Sequence, residues 1–404
     1  MLQGCTVLDA TERLGWLAGR LLADLGADVA KLEAPRAELG GAEWRALNVN
    51  KRVVRLDPAS ADGRERFERL ARGADIFLCT PRPGDSPARL LELNPRLVVV
   101  AITPFGLTGP KAAWLASDLE IMAAGGAMSL AGEPDGMPVR VSAPQAYAWA
   151  GAQAAAGALV ALQHRAASGR GQLVDVSAQS AVITALAHAP TFVDIAGITP
   201  TRAGAYLTGR SVTGAKFRVF WRCRDGYLNF ILYGGGAGRR TNEQLADWMR
   251  SRGFEPGPLA GIDWSRWDPT IVTQDEVDAI EGAIERFFAT LAKREFLEEA
   301  HRRKMLGYPV STVADIAGDP HLAARGFWQE VGGPHGRTER HCGAFVVVDG
   351  VRPPLVAAEA EAAPAEGLAS RPGRRRSRAC GSRNSAATRP DRMSASCSPT
   401  SAPL

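Results

Sequence analysis

Over the first hundred residues, short apolar and β-branched runs alternate with stretches whose apolar positions recur at helical spacing. The pattern predicts strands at 6–9, 28–33, 53–57, 75–80 and 97–103, and helices between them at 14–25, 62–72 and 87–93. Asp57-Pro58 and Asn94-Pro95 mark turns, and Gly106, Gly109 and Pro110 open a loop after the fifth strand. Such βαβ units build a parallel, doubly wound sheet, so the expected fold class is α/β. Its ligand is expected beyond the carboxyl ends of the strands.

From Ser117 to about Val193 the chain turns helical and poor in charge. Residues 141–163 hold no charge over 23 positions, long enough to span a bilayer, yet they include Ser142, Pro144, Gln145, Gln153 and Gln163 among many Ala and Gly. A buried small-residue helix is the better reading. Residues 177–192 are apolar apart from Gln179, His188 and a few hydroxyls. Helices apolar all round must be covered on every side, most easily at a subunit interface. After Gly204 the composition shifts to Thr, Gly and aromatic residues, with a strand predicted at 227–233, a glycine-rich loop at 234–238, a helix at 242–250 and an amphipathic stretch at 274–304. A strand at 309–314 is expected to return to the first unit. The expected division is a large domain over 1–200, a smaller one over 205–305, a return segment over 310–355, and a low-complexity tail over 356–404 that cannot bury enough apolar surface to fold.

The chain has 404 residues, 46% hydrophobic and 23% charged, an ordinary globular composition. Its net charge of +5 arises in the tail, where eight arginines from Arg371 onward face one acid, Asp391. The body is therefore slightly acidic, and no basic folded face points to nucleic acid. Six cysteines lack any C-x-x-C pair, and no two of the six histidines stand four apart, so neither a disulfide framework nor a metal site is expected. Residues 1–9 lack a secretory pattern, and a reducing cytosol is the expected setting.

The glycine-rich loop, with Gly235 and Gly236, follows a predicted strand and precedes a helix, as phosphate loops do. A G-x-G-x-x-G register from Gly234 would nevertheless put Arg239 at the third glycine, so an active-site lid or a tight turn fits as well. No glycine fingerprint follows the first strand, which removes support from a nucleotide-dependent oxidoreductase, and no G-x-x-x-x-G-K-[ST] or G-x-S-x-G run occurs. Two basic clusters lie at strand edges: Lys51 with Arg52, and Thr80-Pro81-Arg82 with Arg89. They are solvated surface or a site for a phosphate-bearing ligand. Asp118 and Glu120 follow the loop at 105–110, where a carboxylate is either a helix cap or a catalytic group.

Taken together, Cys5-Thr-Val-Leu-Asp9, Leu21-Leu-Ala-Asp-Leu-Gly-Ala-Asp-Val-Ala-Lys-Leu-Glu33, Leu47-Asn-Val-Asn-Lys-Arg52, Arg82-Pro-Gly84, Asn94-Pro-Arg-Leu97, Gly106-Leu-Thr-Gly-Pro110, Ser129-Leu-Ala-Gly-Glu-Pro-Asp-Gly136, Gly169-Arg-Gly-Gln172, Val174-Asp-Val-Ser177 and Asp319-Pro-His-Leu-Ala-Ala-Arg-Gly326 resemble the class III CoA-transferases. That group includes formyl-CoA transferase, carnitine CoA-transferase and α-methylacyl-CoA racemase. The resemblance runs in order from about residue 2 to residue 350. It implies interlocked dimers of an α/β fold, with a large Rossmann-like domain from both chain ends and a small middle domain. It also implies transfer of CoA between an acyl-CoA and a carboxylic acid, through acyl intermediates on an active-site Asp. Coenzyme A enters as substrate, with no permanently bound cofactor and no metal. Lys51, Arg52, Thr80, Pro81, Arg82 and Arg89 are then the expected CoA contacts, and Gly235 and Gly236 the expected donors to anionic intermediates.

The sequence departs from that pattern at the nucleophile. The family's Asp follows Pro-x-Ala at the start of the Gly-Ala helix, and here Pro144-Gln145-Ala146 leads to Tyr147. A racemase would carry His before Asp118, where this chain has Ser117. The catalytic candidates are therefore Asp118, Tyr147 and Glu120, beside the alternatives of a non-catalytic CoA-binding subunit in a heteromeric enzyme and a CoA-ester racemase. Trp221, Trp248, Trp264 and Trp267 in the small domain are a pointer towards apolar or aromatic acids.

Overall fold

A computed structural model describes residues 1–360 apart from 38, 210–212, 233 and 334–335. β1 (Thr6–Ala10) leads through α1 (Trp16–Asp24) to β2 (Asp28–Glu33), then α2 (Ala42–Asn48), β3 (Lys51–Arg55), α3 (Ala61–Gly73) and β4 (Ile76–Cys79). A 3-10 turn (Pro87–Arg89) and α4 (Leu90–Leu93) precede β5 (Val98–Thr103). Next come α5 (Asp118–Ala124), α6 (Ala146–Ser168), β6 (Gln172–Ser177), α7 (Ala178–Ala185) and α8 (His188–Ala196). The strands lie in the order β3-β2-β1-β4-β5-β6, every neighbouring pair parallel. All six positions of β5 are buried, as expected for a strand covered on both faces.

The small residues of α6 have a packing reason. Ala150, Ala154, Ala158 and Ala161 are fully buried, and a Cβ on Gly151 would stand 2.8 Å from Leu17 Cβ of α1. A Cβ on Gly157 would stand 2.9 Å from Val174 of β6. Close approach to helix and sheet together thus demands Ala and Gly along this helix. Among the described residues no helix is long and apolar enough to cross a membrane.

Four short strands follow: β7 (Tyr206–Leu207), β8 (Phe217–Arg218), β9 (Phe220–Cys223) and β10 (Gly226–Asn229). Then come α9 (Gly235–Ser251), α10 (Gln274–Phe288), α11 (Lys293–Arg303) and β11 (Tyr308–Pro309). Residues 215–305 supply a hydrophobic cluster of their own, in which Trp221, Trp248 and Trp264 are at most 2% exposed. These three tryptophans fill a core, and Trp267 packs half-buried against it. The amphipathic stretch is two helices, broken between Ala289 and Ala292, the first opened by a Thr273–Glu276 capping box. The strand expected at 309–314 also differs: β11 pairs antiparallel with β10, and the chain then enters α12 (Val313–Ala317) and α13 (Pro320–Ala324). Thr312 accepts from the Asp315 N–H, which starts α12 where extended chain was expected.

The hairpin β12 (Trp328–Gly332) and β13 (Thr338–Cys342) precedes β14 (Glu359–Ala360), which adds parallel to β3. Arg45 pairs with Glu339 at 2.9 Å, Arg20 donates to the Cys342 carbonyl at 2.8 Å, and Asn50 donates its N–H to the Val356 carbonyl at 2.8 Å. The late chain is thereby tied to the first helices and β3. Residues 361–404, including most of the tail expected to be disordered, lie outside the described residues. Cover for the apolar helices is incomplete within one chain: Val160 of α6 is 68% exposed, and Phe192 and Ile195 of α8 are 50% and 81% exposed.

Candidate active site

From β1 the chain runs to β2 on one side, while β4 stands on the other side of β1 and leads away to β5. The carboxyl ends of β1 and β4 therefore flank the switch point at which doubly wound sheets receive ligands. There the Glu12 N–H donates to Thr80 Oγ1 at 2.8 Å, and the Arg82 guanidinium lies 3.7 Å from Glu12 with both side chains largely exposed. The Arg82 N–H donates to Asp85 at 2.9 Å and fixes the turn after the half-buried Pro81. Arg89 is exposed on the neighbouring 3-10 turn. Arg82 and Arg89 are thus open to a ligand at this edge.

Lys51 and Arg52 stand elsewhere, because they open β3 rather than border it. Lys51 is buried, and its ammonium donates to Asp9 Oδ2 at 2.7 Å, to the Trp16 carbonyl at 2.8 Å and to Asn48 Oδ1 at 2.8 Å. With three acceptors for three protons it has none left for a phosphate. Arg52 faces Asp28 at 3.8 Å. Burial drives Lys51 down to about 8 against the pull of Asp9. Burial would raise the Asp9 carboxyl, but Lys51 and Lys31 hold it below its ordinary value. A Cβ on Gly19 would stand 2.2 Å from Asp9 Oδ2, so only glycine admits the pair beneath α1.

The buried carboxylate also shapes the loop above it. Asp9 Oδ1 accepts from the Thr11 N–H at 3.0 Å and from its hydroxyl at 2.6 Å, and Lys31 donates to the Thr11 carbonyl at 2.7 Å. Thr11 so fixed sends Glu12 and Arg13 to the crevice.

Beyond β5, Ser117 caps α5, and its N–H donates to the Glu120 carboxylate at 2.7 Å while its hydroxyl donates to the same oxygen. The Ser117 hydroxyl holds Glu120 below the ordinary carboxylate range, so Glu120 is a capping group. Asp118 Oδ1 accepts from the Tyr147 N–H at 3.2 Å. Gln145, the N-cap residue of α6, offers no side-chain bond, so Asp118 caps that helix from outside. Burial pushes the Tyr147 hydroxyl above its ordinary value, opposed by a backbone hydrogen bond from Asp118 and by Arg13.

Arg13, which sequence patterning passed over, lies 5.8 Å above the Tyr147 ring and grips Glu43 through Nε at 2.9 Å and Nη2 at 2.7 Å. Its one legible signal was its place directly after the first strand. Asp175 was also missed: it accepts from the Leu107 N–H at 3.0 Å and orders the loop after β5 at Gly106, whose φ is +95°. The structure thus gathers Arg13, Asp118 and Tyr147, with Glu120 two residues further along α5. Gly235 and Gly236 form the exposed first turn of α9 rather than a loop. Among the described residues no hydrogen bond, ion pair or ring contact links them to that group. No cluster of metal-ligating side chains occurs among the described residues.

The model of CoA-transferase family III matches residues 2–352. The chain is 34% identical over 346 residues to the BbsE subunit of succinyl-CoA:(R)-benzylsuccinate CoA-transferase from Thauera aromatica, covering 80% of this chain and 82% of that one. It is 38% identical over 355 residues to formyl-CoA:oxalate CoA-transferase from Streptomyces coelicolor, covering 80% and 83%. Among solved structures, a CAIB/BAIF family protein from Brucella suis superposes with a TM-score of 0.70 at 25% identity, over 87% of this chain and 93% of that one.

Proposed function

The chain belongs to CoA-transferase family III, enzymes that move CoA between an acyl-CoA and a carboxylic acid, and we propose that it does so as one subunit of a pair whose partner carries the acyl-accepting carboxylate. The observation that carries this reading is Tyr147 beside Asp118. A phenol ordinarily titrates near 10 and is neutral at pH 7. Burial raises Tyr147 further, so it does not form the anion that attacks a thioester. Asp118, the nearby carboxylate, already holds the amino end of α6. That BbsE is itself a subunit of its enzyme supports the reading.

In this account the phosphates of acyl-CoA meet Arg82 and Arg89 at the switch point, lined by Thr80 and Pro81, and the thioester reaches Arg13 and Tyr147. The Tyr147 hydroxyl donates a hydrogen bond to the thioester carbonyl. The partner's carboxylate oxygen attacks that carbon and CoA leaves as thiolate, giving a mixed anhydride; the thiolate then attacks the partner's own carbonyl, releasing the donor acid and leaving the partner's carboxyl as a CoA thioester. The acceptor acid's carboxylate attacks that thioester, CoA leaves again as thiolate, and its attack on the acceptor's carbonyl in the second anhydride yields the new acyl-CoA and frees the partner's carboxylate. Proton exchange at the α-carbon lacks a base at Ser117, whose hydroxyl donates to Glu120. The exposed side chains of α6 and α8 supply the pairing face. A large domain over 1–200 and 310–355, a small domain over 205–305 and a cytosolic setting complete the proposal.

Calorimetric titration with CoA tests the binding half. The chain alone should bind CoA, and replacing Arg82 and Arg89 together by Ala should weaken it about tenfold or more, the loss of two charge-assisted contacts. Undiminished binding by that variant contradicts the proposed site.

A further inference from the structure

We infer that Arg13 is a specificity-determining residue that selects acyl groups and acids bearing a second, free carboxylate, and that Glu43 occupies its fork until such a carboxylate arrives. The inference rests on the proposed site, because Arg13 is placed against Tyr147, 5.8 Å above its ring.

A guanidinium offers two parallel N–H bonds to a carboxylate, and in this structure Glu43 takes them at 2.9 and 2.7 Å. The geometry of a bound carboxylate is therefore already present at Arg13. Yet the pair is exposed, 52% at Arg13 and 40% at Glu43, and an exposed ion pair contributes little that a competing carboxylate must overcome. Glu43 also sits in the first turn of a seven-residue helix entered through Gly40 and Gly41, and a Cβ on Gly41 would meet nothing within 4 Å. The Glu43 side chain is 40% exposed and can turn to solvent without moving that helix, which Trp44, Arg45 and Asn48 hold through Glu33, Glu339 and Lys51. The other acid on the loop, Glu12, faces Arg82 at 3.7 Å, and Asp118 is turned to the Tyr147 N–H. Arg13 is thus the cation beside Tyr147 whose present partner is readily exchanged.

The test compares binding of succinyl-CoA, which ends in a carboxylate, with binding of butyryl-CoA, which does not, by titration calorimetry on the full chain. The wild type should favour succinyl-CoA. Arg13→Gln should reduce the ratio of the two affinities by about tenfold or more, the equivalent of one bidentate charge-assisted contact. Glu43→Gln, which leaves Arg13 uncontested, should raise the ratio. Equal affinities in the wild type, or a ratio unchanged in both variants, overturn the inference while CoA binding stands. Failure of CoA and both esters to bind overturns the underlying reading and the inference with it.

Discussion

The carboxylate of Asp118 and the backbone N–H of Tyr147 meet at 3.2 Å, so the start of α5 caps the start of α6. One side chain thereby fixes both the helix and the position of the residue where the family's acyl acceptor is expected. Asp118→Ala should cost about 1 kcal/mol of stability, the usual loss of a cap, whereas Asp118→Asn keeps an acceptor and should cost less. Urea unfolding of the two variants checks this order.

The Asp9–Lys51 pair should behave differently from a surface bridge. Both side chains are fully buried at 2.7 Å, so Lys51→Met leaves the Asp9 carboxylate with Lys31, 4.0 Å away, as its remaining cation and should destabilise by about 3 kcal/mol. Gly19→Ala, which drives a methyl group into Asp9, should be comparably harmful. Denaturation midpoints measure both.

Stability should also report on Glu281, buried in α10, where its Oε1 accepts from the Arg218 N–H at 2.8 Å. Burial raises its carboxyl to about 7, above the unfolded value near 4.5. Between these values the folded state binds the proton more tightly, so stability falls as pH rises from about 4.5 to 7 and the loss is complete above that window. Its size is about 3 kcal/mol at most. Glu281→Gln keeps the acceptor and cannot ionise. It should flatten the profile in that window and raise the melting temperature at pH 8.

Pairing through α6 and α8 predicts that the purified chain is not a stable monomer at micromolar concentration. Light scattering of the purified chain should show a dimer, and a stable monomer would contradict the pairing face. Phe192→Asp with Ile195→Asp should release monomers without lowering the helix content seen by circular dichroism.

Strand β5 was legible because a parallel strand buried on both faces writes itself as an unbroken apolar run, Val98 to Ile102, whereas β1 and β2 were read from short β-branched runs despite Asp9 and Lys31 within them. Lys51 misled for the opposite reason: a buried ion pair looks, in sequence, like a surface cluster, and only the acceptors at Asp9, Trp16 and Asn48 reveal it. The expectation that Tyr147 stands at the family's Asp position rests on the Pro-x-Ala register alone, and the neighbours of Tyr147 could not be read from it. Arg13 lies 134 positions away along the chain and is brought close by the contact of α1 with α6. The first turn of α9 was read as a loop because glycine favours loops, and the start at Gly235 runs against that propensity.

In the proposed function this chain holds acyl-CoA but lacks its own acyl acceptor. The most direct measurement is CoA exchange between an acyl-CoA and a free acid by the isolated protein, followed by mass spectrometry, with Asp118→Asn and Tyr147→Phe alongside. The account predicts slow exchange or none from the isolated chain, and fast exchange once a related subunit carrying the Asp is added. Fast exchange by the chain alone, abolished by Asp118→Asn, would make Asp118 the nucleophile and contradict the account. Fast exchange untouched by either substitution would place the chemistry elsewhere.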